Sequence, residues 1–262
     1  MEPDFIDLYY FSGTGNTLLV VRRMKEVFEE HGVSVALHRM ERTDPEDMDL
    51  SHTVGLAFPV AVQGTHPFIW RFIEGLPDSD GTPVFMVDTL AVFSGGLVGP
   101  VRRILKKKGY RPIGAAEIRM PSNVFLRRID REKNERKIAR GLRSAERFAI
   151  RLLEGRTRWI RIPGLSDLMS RLSRSERLWS YYRRKNPIMV DHSRCDRCGL
   201  CVELCPVSNI TMEEYPVHGD LCTYCLRCIS FCPKEATYIP DGGYRRYRAV
   251  RVQELLGGDS QR

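Results

Sequence analysis

The sequence predicts an α/β protein: a doubly wound, parallel five-stranded sheet followed by a small α+β domain rich in cysteine. Three observations carry this. Short apolar runs of strand type alternate with helical periodicity through the first half of the chain. A turn of small and hydroxyl residues, Ser12-Gly13-Thr14-Gly15-Asn16-Thr17, separates the first strand from the first helix. All eight cysteines fall in two near-identical runs between residues 195 and 233.

Residues 4–11 (DFIDLYYF) read as a buried strand, and LLVVRRMKEVFEEHG after the turn has helical spacing and stops at Gly32. Residues 33–38 alternate as a second strand, and ERTDPEDMDLS is a polar connection too short for a full helix. TVGLAF (53–58) is a third strand, followed by the loop 59–67 and the helix FIWRFIEGL. PVFMVD (83–88) is a fourth, then TLAVFSGGLVG and the helix VRRILKKKG; residues 111–120 supply a fifth, ending on Pro121-Ser122-Asn123.

The turn 12–17 has the makings of an anion site. Small residues let the backbone close around a ligand, the hydroxyls of Ser12, Thr14 and Thr17 can donate, and the helix start adds free N–H groups and its dipole. It contains no basic residue. A Walker loop would need G-K-[ST] and a dinucleotide fingerprint a third glycine, and both are missing; a tight turn without a ligand is the remaining alternative. The string FSGTGNT resembles the FMN phosphate loop of flavodoxins. That resemblance implies strand order 2-1-3-4-5, with FMN at the carboxyl ends of the strands beside the switch point. It assigns the phosphate to Ser12, Gly13, Thr14, Gly15, Asn16 and Thr17. It assigns the isoalloxazine ring to Pro59, Val60, Ala61 and Val62 on one side and Thr89, Leu90, Phe93, Ser94, Gly95 and Gly96 on the other. Where such loops often carry a stacking aromatic the first has Val60, Ala61 and Val62, which leaves Phe93 as the one aromatic in either loop, or an ordinary core residue. His66 and Asp88 read as turn and cap residues, not catalytic groups.

The formal charge of +8 is unevenly distributed: residues 1–126 carry a net −3, residues 127–187 a net +12 and residues 188–262 a net −1. The excess is a local basic surface, not the signature of a nucleic-acid-binding protein. Residues 130–153 have helical spacing, with Ile138, Leu142, Ala145, Phe148, Leu152 and Leu153 on a core face and Gly155 as the stop. Residues 156–186 read as a basic amphipathic connector, interrupted by Pro163-Gly164, with Leu165, Leu168, Met169, Leu172, Trp179 and Tyr182 near one stripe. Its arginines are either a solvated face or a docking surface for an acidic redox partner protein.

The cysteine runs, CDRCGLCVELCP and CTYCLRCISFCP, both read C-x2-C-x2-C-x3-C-P. Three thiolates at this spacing wrap one corner of an iron–sulfur cube, and the fourth ligates the other cluster when two are present. The wiring is then crossed: Cys195, Cys198, Cys201 and Cys232 hold one [4Fe-4S] cluster, and Cys222, Cys225, Cys228 and Cys205 the second. Disulfides suit a small secreted domain, and the opening residues MEPDFIDLYYFS show no signal peptide; zinc knuckles would not need the third cysteine or the C-P ending. The runs resemble bacterial-type two-cluster ferredoxins over about residues 187–240.

The expected organisation is a flavodoxin-like domain over 1–155, the connector 156–186, a 2[4Fe-4S] ferredoxin domain over 187–240 and a tail over 241–262, which holds a short helical candidate and a polar end expected to fray. The order of modules resembles flavodoxin–ferredoxin fusion proteins. That resemblance implies a soluble protein of anaerobic-type metabolism moving electrons between two [4Fe-4S] clusters and FMN, a carrier more than a stand-alone enzyme; the clusters' need for a reducing compartment and the missing signal lead to the expectation of a cytoplasmic location. A flavin-dependent reductase and a flavin-free redox-sensing or interaction protein are the alternatives. No apolar run is long enough for a transmembrane segment.

Overall fold

The computed structural model describes residues 4–62, 64–92, 96–123, 130–159, 170–171, 173–240, 244 and 246–257. Strands β1 (Phe5–Tyr10), β2 (Ser34–Arg39), β3 (Thr53–Pro59), β4 (Pro83–Leu90) and β5 (Arg111–Arg119) form one parallel sheet in the order β2-β1-β3-β4-β5. Helices α1 (Asn16–Glu30), α2 (Pro67–Gly75), α3 (Val98–Lys107) and α4 (Arg131–Leu153) make the crossovers and the final cover. Between β2 and β3 the chain makes only two 3-10 turns, at Met40–Arg42 and Pro45–Asp47, as the short polar connection predicts.

Strand alternation builds two cores. Ile6, Leu8 and Tyr10 of β1, with Phe85 and Val87 of β4, meet Val20, Val21, Met24 and Phe28 of α1 and Ala145, Phe148, Ala149 and Leu152 of α4. Tyr9, Phe11, Val54, Leu56, Phe58, Val84 and Met86 face the other way, against Phe68, Ile69, Phe72 and Ile73 of α2 and Val101 and Leu105 of α3. Every central strand is therefore apolar on both faces, the pattern of a parallel sheet covered on both sides.

Helix α5 (Glu176–Lys185) belongs to the basic connector, and its Trp179 is fully buried with the indole N–H donating to the Ser173 carbonyl at 2.8 Å. The other stripe positions Leu165, Leu168, Met169 and Leu172 lie outside the described residues. The cysteine-rich part has two antiparallel pairs, β6 (Met189–Val190) with β9 (Thr237–Tyr238) and β7 (Ile210–Met212) with β8 (Pro216–His218), and two one-turn helices, α6 (Leu200–Glu203) and α7 (Arg227–Ser230).

This part is not a separate bead. Leu204, Phe231, Val250 and Leu255 join the core beneath α1 and α4, while Val207 and Cys225 pack against the core beneath α2 and α3. The short helical candidate in the tail is α8 (Val252–Leu256), held by an Arg22–Glu254 ion pair at 2.9 Å and by Arg39 donating to the Leu255 carbonyl at 3.1 Å; residues 258–262 lie outside the described set. No described helix is long and apolar enough to cross a membrane.

Candidate cofactor sites at the domain junction

The two cysteine runs fold as copies of each other. Left-handed backbone recurs two residues after the first cysteine (Arg197, φ 59°; Tyr224, φ 51°), one residue after the second (Gly199, φ 75°; Leu226, φ 64°) and three after the fourth (Ser208, φ 49°; Glu235, φ 53°). Such turns aim successive N–H groups inward. Asn209 N–H reaches Cys205 Sγ at 3.2 Å and Ala236 N–H reaches Cys232 Sγ at 3.3 Å, again at matching offsets, and Tyr224 N–H reaches Cys222 Sγ at 3.4 Å.

All eight cysteines are free thiols. Cys205, Cys222, Cys225 and Cys228 line one small cavity, so the fourth cysteine of the first run stands with the first three of the second. Cys198, Cys201 and Cys232 lie close enough to interact electrostatically. Burial pushes the Cys201 and Cys222 thiols up to about 11 and Cys225 to about 12, with neighbouring sulfurs adding to the rise. Thiols so crowded and desolvated ionise only against a strong positive centre, and this is the donor chemistry an iron–sulfur cluster needs. Among the described residues no group of three or more His, Cys, Asp or Glu side chains is arranged to hold a metal ion. Thiolates on the corners of a cube stand farther apart than the ligands of one ion, so this geometry is compatible with a cluster.

The turn 12–17 is buried. Ser12 Oγ accepts from Leu18 N–H at 3.2 Å and Gly15 caps α1 with φ 105°, a conformation that suits glycine. The backbone N–H groups of residues 13–17 donate to no described residue. Five such groups at the start of a 15-residue helix are the donor set a phosphate would complete. The flanks tie this turn to the rest of the carboxyl edge: the hydroxyls of Thr17 and Thr89 bond at 2.8 Å, Asn123 Nδ2 donates to Thr14 Oγ1 at 3.3 Å, and Asn16 Nδ2 donates to the Pro121 carbonyl at 3.0 Å.

The two loops expected to border the ring lie on the same edge. Val60 N–H donates to the Thr89 carbonyl at 2.9 Å, Ala61 and Gly64 exchange backbone bonds, and Val62 is left-handed at φ 50°. Thr89 and Leu90 end β4 and Gly96 is buried just before α3; Phe93, Ser94 and Gly95 lie outside the described residues. His66 is the N-cap residue of α2, but its side chain makes no cap. Its Nδ1 bonds the Thr223 carbonyl at 2.8 Å, and burial lowers the ring to about 4, so it is neutral near pH 7. Asp88 departs from the sequence expectation of a cap or turn residue: it is 0% exposed within β4, neither carboxyl oxygen has a hydrogen-bond partner among the described residues, and burial raises its pKa well above the usual carboxylate range.

Sequence reasoning missed what covers the turn 12–17. A Cβ added to Gly13 would stand 2.6 Å from the Cys225 carbonyl oxygen, and one at Gly15 would stand 2.7 Å from the Val250 side chain. Arg227, between two cysteines of the second run, donates from Nε (2.9 Å) and Nη2 (2.8 Å) to the Ser12 carbonyl. From the tail, Ala249 N–H reaches the Thr14 carbonyl at 2.8 Å and Tyr247 OH reaches Asn16 Oδ1 at 2.6 Å. The turn has no basic residue of its own, yet it is backed by a guanidinium from the cysteine-rich part.

Residues 194–236 match the 4Fe-4S dicluster domain family. The chain is a flavodoxin-like domain joined to a ferredoxin-type domain. A ferredoxin of Methanothermococcus thermolithotrophicus is 28% identical over 64 residues, which span 21% of this chain and 98% of that protein. Among solved structures, a flavodoxin of Streptococcus pneumoniae is 17% identical with a TM-score of 0.44, covering 57% of this chain and 98% of its own. Flavodoxin 2 of Bacillus cereus is 18% identical with a TM-score of 0.44, covering 57% and 97%. The flavodoxin-like assignment follows from the parallel strand order itself.

Proposed function

We propose that this chain carries electrons between two [4Fe-4S] clusters and FMN within one molecule, for a separate client protein in a reducing compartment such as the cytoplasm. The observation that supports this most is the seating of the second cysteine run on the phosphate turn, where the Cys225 carbonyl packs on Gly13 and Arg227 grips Ser12. When bound, the clusters supply one-electron transfer and FMN the capacity for one or two. The chain's own residues hold and shield these groups. Cys195, Cys198, Cys201 and Cys232 would ligate one cluster and Cys222, Cys225, Cys228 and Cys205 the other. The N–H groups of residues 13–17 would anchor the phosphate, and Pro59, Val60, Ala61, Val62, Thr89, Leu90 and Gly96 would border the ring.

The connector's first task in this reading is structural, since Trp179 is buried and Arg174 lies 3.7 Å over the Trp70 ring and pairs with Glu74 at 2.6 Å. Docking of an acidic redox partner would then fall to exposed arginines such as Arg177 and Arg184. A second reading, reduction of an anionic small molecule, is favoured by one feature: a groove of about 560 Å³ beside Ala91 and Val92, where Arg119, Lys137 and Arg140 outnumber the one acidic liner, Glu117.

Iron, acid-labile sulfide and flavin counted on anaerobically purified protein test the proposal. The expected content is about eight irons, eight sulfides and one FMN per chain. Complete clusters with no retrievable FMN would overturn it, and partner-free turnover of a small anion would shift it to the second reading.

A further inference from the structure

The cavity lined by Cys205, Cys222, Cys225 and Cys228 contains two polar side chains with nothing to bond. His218, which closes β8, lines it, and both ring nitrogens are buried without a hydrogen-bond partner among the described residues. Thr223 lines it as well, is 4% exposed, and its Oγ1 is buried and unpartnered. Leaving such groups unsatisfied is costly, so a native chain that keeps two of them around one cavity calls for an explanation. The other polar liners are already engaged: Asn209 Oδ1 accepts from Leu221 N–H at 2.6 Å, and Arg227 is spent on Ser12, Leu204 and Glu41. Ile188, Pro206, Val207, Ile210 and Leu226 supply an apolar wall with no competing acceptor side chain.

The internal repeat shows what is special here. His218 lies four residues before the first cysteine of its run and Thr223 one residue after it. At the same offsets the first run has Asp191 and Asp196. Those carboxylates only accept, and they are used locally: Asp191 Oδ1 accepts from Ser193 Oγ at 2.6 Å and from Ser193 N–H at 3.0 Å, and Asp196 Oδ1 accepts from Cys198 N–H at 3.3 Å. Two acceptors in one copy are thus replaced by two free donors in the other.

We infer that His218 and Thr223 are positioning residues that donate hydrogen bonds to a sulfur-rich group in this cavity and raise its reduction potential relative to the group held by Cys195, Cys198, Cys201 and Cys232. This rests on the reading that the cavity holds a [4Fe-4S] cluster. Hydrogen bonds to cluster and thiolate sulfur stabilise the reduced, more negative state more than the oxidised one, and so raise the potential. A neutral imidazole always has one N–H to give, and burial of His218 favours that neutral form. The site that leans on the turn 12–17 would thereby be easier to reduce than its burial alone would allow, which favours electron flow from the first cluster toward that edge.

The test is an EPR-monitored potentiometric titration of the full chain, purified anaerobically with iron and sulfide counted first, for the wild type and for His218→Phe, Thr223→Val and His218→Gln. Expected is a fall of one midpoint in His218→Phe and in Thr223→Val, such that the ratio of reduced to oxidised cluster at fixed solution potential drops by about tenfold. The other midpoint stays, and His218→Gln, which keeps a donor, remains near the wild type. Two complete clusters with unmoved midpoints, or with both midpoints moved alike, would overturn this inference and leave the cluster assignment standing. A wild type with iron and sulfide for fewer than two clusters would overturn both. Thr223→Val, which replaces one hydroxyl by a methyl, carries the test should His218→Phe fail to assemble.

Discussion

Arg227 Nη2 lies 2.7 Å from Glu41 Oε1, joining the second cysteine run to the turn after β2 across 186 residues of sequence, with the two side chains only 4% and 5% exposed. The same guanidinium holds the Ser12 carbonyl and lies 4.6 Å over the Phe11 ring. Buried pairs of this kind are weak arguments for net stability, but breaking one is costly because it strands a charge. Arg227→Met should destabilise the chain by about 3–5 kcal/mol in anaerobic urea unfolding. Adding Glu41→Leu should recover part of that loss. A double variant no more stable than the single one would mean that the Ser12 contacts matter and the ion pair does not.

The Thr17–Thr89 hydroxyl bond links the turn 12–17 to the end of β4. Thr17→Val leaves the buried Thr89 hydroxyl without its partner and should cost about 1–3 kcal/mol, along with weaker flavin retention on dialysis. Thr17→Val with Thr89→Val should regain stability but not flavin retention, because the donor lost from the turn is not restored.

His66 and Asp88 give the chain opposite pH dependences. The folded state holds His66 neutral down to about 4, so between its ordinary pKa of 6.5 and that value the unfolded chain binds more protons and acidification destabilises. Asp88 behaves in reverse. Its folded pKa lies well above 3.8, the folded state holds the extra proton, and stability falls as pH rises from 3.8 through the raised value. Melting temperatures across pH should show the acid arm flattened in His66→Gln and a gain for Asp88→Asn that is largest at neutral to alkaline pH and fades toward pH 4. An Asp88→Asn variant less stable than wild type at pH 8 would show that the carboxylate is ionised and paired in the folded protein.

Partner docking on the connector should respond to Arg177→Glu with Arg184→Glu, both at exposed positions. Turnover with an acidic client should fall and lose part of its salt dependence, while iron, sulfide and flavin contents stay the same. Unchanged turnover would reduce the connector to its structural part around Trp179.

What was legible in the sequence was local. Strand alternation gave the five-stranded sheet, FSGTGNT marked the turn at its switch point, and the cysteine spacing gave two copies of one loop, because each of these is written within a few consecutive residues. The couplings were not. Nothing near Glu41 announces Arg227, and nothing in a tail that reads as a short helix with a polar end announces that Tyr247, Ala249 and Val250 close over residues 14–16. Asp88 was misread because a strand-end aspartate usually caps something; here β3 and β5 flank it and no donor arrives. The free donors of His218 and Thr223 emerged only once the cavity put them beside four thiols from both runs.

Rapid one-electron photoreduction of the fully loaded chain, followed at the flavin and cluster absorption bands over a range of protein concentrations, tests the central claim most directly. Electron transfer within the chain predicts redistribution between clusters and flavin at a rate independent of concentration, and slowed in Arg227→Met. A rate proportional to concentration, or a chain with complete clusters and no flavin phase, would contradict it.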